Sequence, residues 1–132
     1  MKKRVTGIGG VFFKAKDPRA LLDWYAKHLG VPVAPDHPSA MFMWPDPDYP
    51  GELGLTVFSP FAADTDYFQP SQSSFMINFR VENLEELLAV LKEEGIDPVG
   101  EPQHEAYGSF AWIMDPEGNK VELWEPKAPP ES

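Results

Sequence analysis

Val11-Phe12-Phe13-Lys14-Ala15 and Ile77-Asn78-Phe79-Arg80-Val81 carry one pattern twice, 66 residues apart (11 to 77). At the same offset Asp17 meets Asn83, Leu21-Leu22 meet Leu87-Leu88, and Pro32-Val33 meet Pro98-Val99. Further on, Val57-Phe58-Ser59-Pro60 meets Leu123-Trp124-Glu125-Pro126. An apolar strand, a capped helix and a terminal strand recurring in register argue for two copies of one supersecondary unit. A duplicated unit builds a cavity between its copies, and function is expected there.

Working outward, a strand is expected near Thr6–Lys16. Asp17 then supplies an N-cap, Pro18 the first helical position and Gly30 the stop. A short extended piece at Val31–Pro35 precedes strands near Ala40–Trp44 and Leu53–Ser59. The polar, proline-bearing segment Phe61–Ser74 links the halves. The second half starts with a strand near Phe75–Val81, and Asn83 with Glu86 opens a helix. Leu84, Leu87, Leu88 and Leu91 make its buried face, and Gly95 ends it. An irregular strand over Pro98–His104 precedes a hairpin of Ser109–Met114 and Lys120–Glu125. Each half reads strand, helix, strand, strand, strand: an α+β fold in one domain, with halves at about 5–60 and 75–126 and a linker at 61–74.

The chain has 132 residues, 42% of them hydrophobic, which supports a packed core. A net charge of −10 repels phosphate backbones, so nucleic acid is not an expected partner. The absence of cysteine excludes thiol chemistry and fits a cytoplasmic setting. Met1-Lys2-Lys3-Arg4 before an apolar run imitates a signal peptide, but Lys14-Ala15-Lys16 follows without a cleavage pattern, so the run reads as a strand of the mature protein. No apolar stretch has the length of a membrane span, and no membrane partner is expected. The tail Lys127–Ser132 is expected to fray.

The strand ending at Asp17, the helix end Trp24-Tyr25-x-x-x-Leu29-Gly30, and Asp115-Pro116-x-Gly118-Asn119-x-Val121-Glu122-Leu123-Trp124 resemble the vicinal oxygen chelate superfamily. That group comprises glyoxalase I, bleomycin-resistance proteins and extradiol dioxygenases, and the likeness runs over about residues 6–126. It implies two tandem βαβββ modules whose mixed sheet curls around a shared cleft, usually in a homodimer. In the metal enzymes of the superfamily, ligands stand on the first and last strands of each module. The corresponding positions here are Gly10, Met76, Glu122, and either Thr56 or Gly54. Glu122 alone is a usual ligand, so no metal or other cofactor is expected.

Strand alternation from these positions places Phe12, Lys14, Thr56, Phe58, Met76, Asn78, Arg80, Glu122 and Trp124 in the cleft, with the apolar alternates under the helices. This mixture of apolar lining and a few polar groups suits a small-molecule site. Glu122 is the catalytic candidate. Its structural alternative is a salt bridge to Lys14 or Arg80, which would hold it ionised rather than make it basic. His104 is the candidate for a displaced ligand or proton shuttle, His28 reads as a packing histidine, and His37 reads as solvent-facing. Asp64, Asp66 and Tyr67 could cover the cleft as a lid, with surface-loop packing as the default.

The expected function is binding of a small molecule between the modules, in the style of the bleomycin-resistance branch, without the full metal site. The alternative is a metal-dependent lyase, isomerase or dioxygenase with a relocated site at Glu122 and His104. Whether the chain is an enzyme stays open between the two.

Overall fold

The computed structural model describes residues 4–127; Met1-Lys2-Lys3 and the tail beyond Lys127 lie outside the described residues. The elements are β1 (Val5–Ala15), α1 (Pro18–Leu29), β2 (Ala40–Pro45), β3 (Leu53–Ala62), β4 (Phe75–Val81), α2 (Leu84–Glu93), β5 (Gln103–Glu105), β6 (Gly108–Met114) and β7 (Lys120–Pro126). They form one open seven-stranded mixed sheet in the order β2-β3-β1-β4-β7-β6-β5. The two halves meet where β1 runs antiparallel to β4. The first strand of each half lies parallel to the last strand of the same half. This matches the two-module α+β fold that the repeat predicts.

One strand differs. The segment Val31–Pro35 makes a single bridge, Val33 to Ala40, so the first half contributes three strands and the second four. Pro32 and Pro35 carry no N–H, which denies this segment a continuous ladder.

The helix signals work as read. The Asp17 carboxylate accepts from the Ala20 N–H at 3.0 Å, and Gly30 takes a left-handed φ of 68° that closes α1. Asn83 accepts from the Glu86 N–H at 3.0 Å to start α2. Leu84, Leu87 and Leu91 are buried against Val81, Ala111 and Leu123, and Phe79, Leu88, Ile113 and Val121 pack around them. The outer face of α1 is a correction: His28 is exposed beside Trp24, their ring centroids 5.1 Å apart, because only Leu22 of this helix is fully buried. His37 is exposed, as expected.

Candidate active site and ligand cleft

Residues paired across a ladder project to the same side of a sheet. Asn78 pairs with Glu122 and Arg80 with Trp124. Phe12 pairs with Met76, Trp112 with Glu122, and Phe110 with Trp124. The face opposite α2 therefore carries Phe12, Met76, Asn78, Trp112, Glu122 and Trp124. The linker folds over it. Phe68 and Met76 are 0% exposed and pack with Trp112, while Phe12, Phe61 and Tyr67 surround them. The Tyr67 ring stacks on Phe61 at 5.6 Å and meets Trp112 edge-on at 6.2 Å. Tyr67 thus covers the cleft floor, and the buried Phe68 plugs it.

Glu122 is 3% exposed and accepts a hydrogen bond from the Tyr67 hydroxyl at 3.2 Å. Burial pushes its pKa up to about 7, against the opposing pull of Tyr67, Trp112, Asn78 and the Lys120 charge. Burial and the neighbouring carboxylate raise the Tyr67 phenol as well. This corrects the expectation that Lys14 and Arg80 hold Glu122 ionised. Arg80 is committed elsewhere: its Nη1 donates to Asp46 Oδ2 at 2.7 Å, and its guanidinium lies over Trp44 at 5.8 Å. Arg80 and the Asp48 N–H together hold the Asp46 carboxyl below its ordinary range. Lys14 stands over the Phe68 ring at 5.9 Å.

Lys120 is the cation nearest this centre. Its Nζ donates to the Tyr67 carbonyl at 2.8 Å and sits over the Tyr67 and Trp112 rings, and burial lowers its pKa. Alternation along β7 carries the signal for it, because Lys120 shares the face of Glu122 and Trp124. Asp46 had a fainter signal, its place as the turn aspartate matching Asp115.

Three candidates leave the site. Phe58 packs on Phe13 at 4.9 Å and on Tyr25 of α1 at 5.2 Å, so it lies on the α1 side. Thr56 donates to the Ile8 carbonyl and accepts from Trp44 Nε1 at 2.9 Å, which commits its hydroxyl to the fold. The register gives the reason. Phe12 pairs with Ser59, as Asn78 pairs with Glu122. By the ladders, the true counterpart of Glu122 is Ser59, 63 residues back rather than 66. An odd shift moves every side chain to the opposite face. His104 also leaves. It pairs with Ser109 and bonds its hydroxyl at 2.9 Å, on the α2 side of the sheet and away from Glu122.

The donors at the superfamily's ligand positions do not fit a hard divalent ion. Gly10 has no side chain, and a Cβ there would stand 2.7 Å from the Phe12 ring, which folds back over it. Met76 is a thioether sealed among carbon atoms, and Ser59 is a neutral hydroxyl. Only Glu122 has the charge and hardness such an ion selects.

Beyond the plug, the face opens into a groove of about 340 Å³ walled by Met43, Leu53, Arg80, Tyr107, Trp124 and Lys127, among others. Trp124 can lie flat there because Gly9 and Gly108 make room. A Cβ at Gly9 would stand 2.7 Å from Trp124 Cε3, and one at Gly108 would stand 2.5 Å from its Nε1.

Among solved structures, the chain resembles the methylmalonyl-CoA epimerase of Mycobacterium tuberculosis at 20% identity, with 97% of this chain and 93% of that one covered and a TM-score of 0.62. A methylmalonyl-CoA epimerase in complex with methylmalonyl-CoA and NH4+ matches at 16% identity, 96% and 99% coverage and a TM-score of 0.66. A glyoxalase/bleomycin resistance protein/dioxygenase superfamily member from Vibrio splendidus matches at 15% identity, 94% and 99% coverage and a TM-score of 0.54. At these identities the likeness is one of fold. No curated protein matches the sequence. Residues 10–124 match the family described as a glyoxalase-like domain. The chain belongs to that glyoxalase-like family.

Proposed function

We propose that this protein binds a small molecule in the cleft between its halves, without the superfamily's full metal site. One observation carries the reading: three of the four ligand positions hold a glycine under a phenyl ring, a buried thioether and a neutral hydroxyl. What remains of the face is an aromatic and apolar lining with few polar groups, the composition of a ligand pocket. A thermal-shift screen against a broad small-molecule panel tests it. A ligand at 100 times its Kd adds about 2.7 kcal/mol of stability, so binders should raise Tm clearly. A panel that leaves Tm unmoved would count against the reading.

A homodimer in the cytoplasm belongs to the same proposal. β2 is a sheet edge, and Met41, Phe42 and Met43 on it are 42%, 40% and 68% exposed. An apolar open edge favours a covering partner. Light scattering should return twice the 14.8 kDa of one chain, and a monomer at high concentration would remove this part of the proposal.

A second reading, an enzyme of the same superfamily acting through Glu122, is favoured by that carboxyl's burial and its pKa of about 7, close to that of a working general base. Its metal-dependent form loses His104, which lies on the opposite face. Turnover of a panel ligand that disappears in Glu122→Gln would replace the first reading with this one.

A further inference from the structure

The groove beside Trp124 has a chemical preference of its own. Its floor is an aromatic plate, held flat on two glycines and stacked parallel to Phe110 at 6.4 Å with 7° between the planes. Such a plate receives a planar ring. Met43 and Leu53 add apolar wall. The charged residues lining the groove are Arg80 and Lys127, both cations, although the whole chain carries −10. Asp46 takes one N–H of the Arg80 guanidinium, and a guanidinium presents five. Arg80 is therefore fixed in place with donors to spare. Trp124 Nε1 is buried and has no hydrogen-bond partner.

We infer that this groove takes a planar aromatic carboxylate, its ring laid on Trp124 and its carboxylate held by Arg80 and Lys127. The inference rests on the small-molecule reading above and names the class of guest. It reverses what net charge suggests, because recognition is set within the groove, and the distant acidic surface is screened beyond about 10 Å at ordinary ionic strength. A groove of about 340 Å³ admits a two-ring guest and lies at the small end of ligand pockets.

The test is calorimetric titration of the intact protein with three compounds that share the ring and carry a one-carbon head group of negative, zero or positive charge: naphthalene-2-carboxylate, naphthalene-2-methanol and naphthalen-2-ylmethylammonium. The carboxylate should bind at least about tenfold more tightly than the alcohol, the difference a charged hydrogen bond supplies. Lys127→Glu, an exposed substitution, should erase most of that preference, the carboxylate's affinity falling toward the alcohol's. Equal or tighter binding of the alcohol or the ammonium overturns the inference and leaves the small-molecule reading standing. So does a preference that survives Lys127→Glu. If no naphthyl compound binds while another panel compound raises Tm, the guest class is wrong and the reading survives. If nothing in either set binds, both fall.

Discussion

Phe68→Ala should lower stability by about 3–5 kcal/mol in chemical denaturation, the usual cost of emptying a fully buried phenylalanine site. Phe68 is 0% exposed and fills the space between Met76 and Trp112, 5.3 Å from the Phe61 ring. Domains of this size hold only about 5–15 kcal/mol in all, so the variant should show a visible unfolded fraction on mild heating. The substitution also admits water toward Glu122. The carboxyl should then titrate closer to its ordinary 4.5 than to about 7, read by carbon NMR of the labelled side chain. A stability loss below about 1 kcal/mol would show that the linker is a loose loop and not part of the core.

Glu122→Gln should stabilise the protein above neutral pH. The folded carboxyl titrates near 7 and the unfolded one near 4.5, so between these values the folded state binds more protons. Stability therefore falls as pH rises from about 4.5 to about 7 and is flat on either side, apart from other groups. The span corresponds to about 3 kcal/mol at 1.36 kcal/mol per pKa unit. Glutamine keeps an acceptor for the Tyr67 hydroxyl and carries no charge to desolvate. Urea titrations at several pH values should show this slope in the parent protein and its loss in the variant, with the variant the more stable at pH above 7. A variant less stable at every pH would mean that Glu122 is ionised and well paired in the folded state, contrary to its burial beside Tyr67 and Trp112.

The repeat made the architecture legible, since strand, capped helix and terminal strand recur at one spacing and each has its own local chemistry. Alternation then placed Phe12, Met76, Asn78 and Glu122 together, because β1, β4 and β7 keep a regular pleat in that region. It failed in β3. There the pairing with β1 sits three residues off the constant offset, an odd shift, so Thr56 and Phe58 fell on the wrong face and Ser59 was overlooked. The plug was not legible either. Tyr67 and Phe68 lie in an aperiodic linker, where nothing in the order of residues says which ring turns inward. The ionisation of Glu122 followed from both gaps. Counting charges along strands put Arg80 beside it, while the fold gave Arg80 to Asp46, a turn residue 34 positions away in sequence.

Metal content tests the central claim most directly. Protein exposed to zinc, nickel, manganese or iron and then desalted should retain far less than one ion per chain by elemental analysis. One stoichiometric ion that disappears in Glu122→Gln would contradict the account and restore the metal-dependent reading.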